Sequence, residues 1–171
     1  PDQFQNERNG EEIPIELHHN TPFLRTTVQL NDQVEESISW VMDLGANQAL
    51  SLDVQPEKKI VPPAKALTVE AIGVAGKFPI QIGRIQELQL GSFKLHNIVA
   101  GFSQIPQSAL PGSPEKGNLG MEIWRRFHLT IDYNGKRIFL AANKVFTDPF
   151  EYNMTGFRFY RDDQENLVVE S

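Results

Sequence analysis

Few residues in this chain have the types and spacing that chemistry needs, and one of them stands out by position. Asp43 ends an apolar run, Trp40-Val41-Met42, and opens a turn of Leu44, Gly45 and Ala46 within WVMDLGANQAL. A carboxylate at the end of a hydrophobic strand suits either a plain surface turn or an active site. Two other stretches share its small-residue character. Asn118-Leu119-Gly120 places a second glycine after an apolar residue, directly before a helix-like segment. Gly73-Val74-Ala75-Gly76 forms a glycine-rich tip between two strand-like runs.

Other chemistries find less support. The chain has no cysteine, so it offers no thiolate nucleophile, disulfide or Cys-based metal site. His18 and His19 are adjacent on a strand-like run and point to opposite faces, so they cannot share one metal. H-E-x-x-H is absent, and neither a metal nor a cofactor is expected. Gly73 to Lys77 faintly resembles a phosphate loop, but the glycines are too close together, Phe78 stands where Ser or Thr is needed, and no helix follows. No serine sits in a G-x-S-x-G elbow. Asn153-Met154-Thr155 fits a glycosylation triplet, a pattern that also arises by chance.

The elements that must position Asp43 are mostly strands. Alternating patterns predict strands over Ile13–His18, Phe23–Leu30, Val34–Met42 and Ala49–Val54. A hairpin of Leu67–Ile72 and Lys77–Ile82 follows, then Ile85–Leu90, Phe93–Phe102, His128–Tyr133 and Arg137–Ala141. Asn31-Asp32, Gly91-Ser92 and Asn134-Gly135 supply turns between them. Only Met121–Phe127 reads as helix, with apolar residues at three-residue spacing, Glu122 in the first turn and Arg125-Arg126 in the last. Many short strands with frequent turns predict a mostly β barrel or sandwich. Its expected core is Val28, Leu30, Ile38, Val41, Leu88, Leu90, Ile98, Leu119, Trp124, Phe127, Ile131 and Phe139.

Composition sets the outer limits. The 171 residues suffice for one domain of ordinary apolar and charged content. A net charge of −6, with no basic cluster longer than Lys58-Lys59 or Arg125-Arg126, argues against a nucleic-acid partner. No apolar run approaches the roughly 20 residues of a membrane helix. The polar opening PDQFQNERNGEE, with neither Met nor a signal segment, is read as a removed targeting segment or a trimmed start.

Taken together, Val41-Met42-Asp43-Leu44-Gly45-Ala46, the glycine-tipped AIGVAGKF and Asn118-Leu119-Gly120 before a short helix resemble the aspartic proteases of the retroviral type. The first matches their apolar-apolar-Asp-Thr-Gly-Ala loop at all but one position. Within that group the chain is most similar to bacterial retropepsin-like proteins that carry a PDZ module, since GNLGMEIWRRFHLTIDYNGKRIFL resembles their closing segment and YNMTGFRF the start of the PDZ module. The resemblance implies a polar linker over residues 1–12, a retropepsin-like domain over 13–148, and a linker with the first strands of a truncated PDZ-like module over 149–171. It implies an aspartic endopeptidase with Asp43 catalytic and Leu44, Gly45 and Ala46 as its active-site loop. Gly73, Val74, Ala75 and Gly76 become the flap over the substrate, and Leu119 and Gly120 the second glycine motif. A peptide substrate and an exported, periplasmic or cell-surface location follow from the same resemblance.

The chemistry suits those residues. Peptide hydrolysis by two carboxylates needs an ionised one to take a proton from water and a protonated one to donate to the carbonyl oxygen. Two carboxylates in contact cannot both ionise, which separates the acid and base roles. Asp32, Asp53, Asp132, Asp148 and Asp162 are all followed by the wrong residues for a second loop. A dyad therefore calls for a second copy of Asp43, from a two-fold symmetric homodimer. Leu44 departs from the family's usual Thr or Ser, whose hydroxyl joins a hydrogen-bond network between the two loops. Leu can neither donate nor accept, which leaves two alternatives: a protease whose loop is repacked with apolar contacts, or a degenerate domain that binds peptides without cutting them. In the first case Leu44 is expected to face apolar neighbours, and Asp43 to be held by backbone N–H groups of Gly45 and Ala46 alone.

Overall fold

A computed structural model describes residues 9–73, 76–104, 117–152, 158–162 and 164–170. Among these described residues thirteen strands run as β1 (Glu11–Pro14), β2 (Glu16–His18), β3 (Thr21–Asn31), β4 (Val34–Met42), β5 (Leu50–Asp53), β6 (Leu67–Gly73), β7 (Gly76–Leu90), β8 (Phe93–Ser103), β9 (Gly117–Leu119), β10 (Phe127–Asp132), β11 (Arg137–Ala142), β12 (Arg158–Arg161) and β13 (Leu167–Glu170). The single α-helix of the described residues, α1, is Met121–Trp124. The mostly β expectation with one short helix is met.

Six strands close on themselves in the order β3-β4-β9-β5-β8-β7, because β7 also pairs with β3 at Val28↔Leu88. Closure satisfies strand edges that would otherwise be open to other chains. Alternation drives it. In β3 and β4, Leu24, Val28, Ile38 and Trp40 point inward to meet Leu50, Leu88, Ile98 and Leu119, and all eight are buried. Trp40 enters this core with its one polar atom satisfied, since its indole N–H donates to Thr26 Oγ1 at 2.7 Å. A second sheet, β1-β11-β10, continues the structure.

Several elements differ from the sequence expectation for identifiable reasons. The run expected over Ile13–His18 divides at Ile15, where the chain leaves β11 as partner and takes up β3. The runs expected over Lys77–Ile82 and Ile85–Leu90 are one continuous strand, β7. Gly83 does not break it; a Cβ there would come within 2.4 Å of Pro63, so the glycine marks a close approach rather than a turn. The helix stops at Trp124 because Phe127 already pairs with Ala142 in β10. Its ring packs edge-on against Phe93 and Phe146. Val41 and Ile131, expected in the core, are half-buried. In β4 the inward face belongs to Trp40 and Met42, so Val41 lies on the other side.

After β11 the chain runs back along the barrel as a strap rather than a strand. Asn143 N–H and Nδ2 donate to the Arg126 and Arg125 carbonyls, and Phe150 reaches the core at 5% exposed. β12 and β13 pair with each other in a separate two-stranded sheet. Among the described residues no helix is long and apolar enough to cross a membrane.

Candidate active site

Asp43 owes its position to a strand inserted from far along the chain. β9 lies parallel to β4, with Val41 opposite Asn118, and antiparallel to β5, with Ser51 opposite Asn118. It fills the slot between the two strands that the Asp43 loop connects, so the loop must arch over its end. Three backbone bonds stitch that arch down. Asp43 N–H donates to the Leu119 carbonyl at 2.9 Å, Gly120 N–H to Ala49 at 2.9 Å, and Met121 N–H to Ala46 at 2.7 Å.

Such tight insertion leaves no room for side chains at its ends. A Cβ on Gly117 would lie 2.1 Å from the Ser51 carbonyl oxygen, and one on Gly120 would lie 2.0 Å from that of Gln48. Both obstacles are backbone and cannot swing aside. The glycine of the second motif is therefore a packing requirement. Gly45 is different, because a Cβ there would meet only Asp43 Oδ1, at an ordinary 3.5 Å.

Both carboxylate oxygens of Asp43 are engaged. Oδ1 accepts from the Gly45 and Ala46 N–H groups at 3.0 and 3.1 Å, and Oδ2 accepts from Asn118 Nδ2 at 3.3 Å. The backbone pair matches the expectation. Asn118 corrects it, since the backbone does not hold Asp43 alone. Three donors converging on one half-buried carboxylate fix its plane and leave it at the lip of the barrel. Leu44, at the apex, is 44% exposed, and Met121, whose N–H is bonded to the loop, is 39% exposed. Within one chain Leu44 is thus exposed to solvent rather than packed.

The structure brings together Asp43, Leu44, Gly45, Ala46, Leu119 and Gly120. The expected flap is the β6–β7 hairpin, closed by the pair Gly73↔Gly76, while Val74 and Ala75 lie outside the described residues. A cavity of about 570 Å³ opens between the strands of that hairpin and residues Asn47 to Ser51, which continue the Asp43 loop. Asp43 is not among its lining residues; the cavity begins four residues further on. Among the described residues no group of His, Asp and Glu could hold a metal ion. Asn118 was visible in the sequence only as the first residue of the second motif. Nothing local pointed its amide at Asp43.

A family model described as aspartyl protease matches residues 26–123, running from β3 through the Asp43 loop and the hairpin to α1. The match spans more than half of the chain, and the chain belongs to that family. Its closed six-stranded barrel with one short helix is the retropepsin-like acid protease fold. No curated protein matches the chain.

Proposed function

From membership in the aspartyl protease family, we propose that the chain is an aspartic endopeptidase whose catalytic dyad is made of Asp43 from two copies. The observation that carries the reading is the Asp43 carboxylate itself, oriented by three donors at the open lip of the barrel, close to a largely apolar cavity of about 570 Å³. A similar donor set, two backbone N–H groups on Oδ1 and an asparagine amide on Oδ2, holds Asp162, but that residue lies in the turn between β12 and β13, outside the barrel. Asp32 accepts from Gln86, and Asp132 from Arg137 and the Gly135 N–H. A second Asp43 across a two-fold axis supplies the missing partner.

In that dyad a water molecule lies between the carboxylates. The ionised one removes a proton as the water oxygen attacks the peptide carbonyl carbon, and the protonated one donates its proton to the carbonyl oxygen. The resulting gem-diol collapses as the C–N bond breaks, and the leaving amine takes a proton from the dyad. The β6–β7 hairpin closes over the peptide and excludes bulk water. Met121 and Leu44, both exposed in one chain, supply apolar surface for the contact between copies.

A second reading is favoured by Leu44, which carries no hydroxyl where the family's loop-to-loop network runs: a domain that binds extended peptides and does not cut them. Digestion of a peptide library at several pH values separates the two. The endopeptidase cuts at acidic to neutral pH, and Asp43→Asn abolishes the cutting. Peptides retained intact by both forms would establish the binding module instead. An exported location and an adjoining PDZ module belong to the same proposal, supported by the resemblance over Gly117–Leu140 and Tyr152–Phe159.

A further inference from the structure

The strap after β11 is held by unusual means. Arg126 is fully buried, and among the described residues its guanidinium donates to five backbone carbonyls: Glu122, Val145, Phe146, Asp148 and Pro149. Its cationic face also lies 3.7 Å from the centre of the Phe150 ring. Burial pushes its pKa down, with Arg125 adding to the effect, yet a guanidinium stays charged there. On the barrel side, Arg84 Nη1 donates to the Phe150 carbonyl at 2.9 Å and to that of Asn97 at 2.7 Å. Two arginines thus immobilise a segment that has no strand partner among the described residues.

What they hold in place is a wall. Phe150, Glu151 and Tyr152 line the cavity beside the Asp43 loop, facing Leu50, Val69, Phe78 and Ile80. Tyr152 also borders a second cavity of about 360 Å³, and Ile82 and Val99 are common to both. Tyr152, together with Ile82 and Val99, therefore stands between the two spaces.

We propose that Tyr152 is a specificity-determining residue. Its ring limits the pocket beside the active loop to one large apolar side chain of a bound peptide, and Arg84 and Arg126 are positioning residues that keep it there. The proposal rests on the reading of this cleft as a peptide site. It does not need the peptide to be cut. The first cavity falls within the size range of ligand pockets and is lined mainly by aliphatic and aromatic groups, which suits a side chain such as Leu, Met or Phe. Removing the Tyr152 ring joins the cavities and admits bulkier groups.

The test measures binding and cleavage of short extended peptides in which one position carries each apolar side chain in turn, up to naphthylalanine. In Tyr152→Ala the ratio of naphthylalanine to leucine peptide affinity should rise about tenfold, the scale on which an apolar pocket discriminates size. Tyr152→Phe keeps the ring and should leave the ratio unchanged, which guards against a folding artefact. Arg84→Ala, at an exposed position, should move the ratio the same way by a smaller factor, and Arg84→Lys, which keeps a donor, should restore it. If the ratio shifts while no peptide is cut, the pocket assignment stands and the catalytic reading falls. An identical ratio in wild type and Tyr152→Ala, or the absence of any peptide binding, overturns the assignment.

Discussion

Two triplets in this chain have the same written form, a polar residue followed by Leu and Gly, and opposite physical lives. Asp43-Leu44-Gly45 and Asn118-Leu119-Gly120 are hydrogen-bonded to each other through the Asp43 N–H and the Asn118 amide. Yet Leu119 is 0% exposed and Leu44 is 44% exposed. Gly120 has carbonyl oxygens where a Cβ would go, whereas a Cβ on Gly45 would make only an ordinary contact with the Asp43 carboxylate. The first triplet is the arch and the second is the keystone under it. Function is carried by the exposed member, and its geometry is guaranteed by the buried one.

The comparison can be broken most severely at Leu119. Leu119→Ala opens a hole at the centre of the barrel and should cost about 2–5 kcal/mol, read as a lower urea midpoint. Gly120→Ala forces its new methyl group against the Gln48 and Ala46 carbonyls and should cost about 3 kcal/mol, at the upper end for overpacking. A loss below about 1 kcal/mol would mean that the arch is not braced on β9. Its counterpart, Gly45→Ala, sharpens the contrast. The backbone there is not in the left-handed region, and the added methyl touches only Asp43, so stability should change by less than about 1 kcal/mol.

Leu44→Thr should matter least to the fold, within about 0.5 kcal/mol for a surface substitution. Its effect belongs to the association of two copies. Restoring a hydroxyl should raise cleavage or dimer affinity about tenfold, equivalent to roughly 1.4 kcal/mol or one net hydrogen bond. If dimers form normally and Leu44→Thr remains inert, the deficit does not lie in that network and the binding reading gains.

Much of the architecture is legible in the sequence. Val34–Met42 was expected as a strand and is one, because alternation over nine residues states the period, although the buried end of that face belongs to Trp40 and Met42 rather than to Val41. The barrel strands β3 and β8 were legible for the same reason. Where the reading slipped, a local signal meant something else. Two runs, Lys77–Ile82 and Ile85–Leu90, were expected where one strand runs through, and Gly83 between them is a place where Pro63 packs. Phe127 has helical spacing from Trp124 but is recruited into β10 by Ala142. Strand β9 has three residues, too few to display any period, and its strand character comes from the two neighbours it lies between.

By itself the sequence determined that this is a β-rich chain, that a strand delivers Asp43 to a small-residue turn, and that two glycines flank apolar residues at matching places. These are properties of neighbours along the chain, where propensity, alternation and turn chemistry act. Tertiary structure alone decided that Asn118 reaches Asp43 across 75 residues, that one leucine of two look-alikes is buried, and that a strap clamped by Arg126 walls a cavity. The reason is that a hydrogen bond or a buried methyl is specified by what arrives opposite it, and in a closed barrel what arrives is set by the register of distant strands.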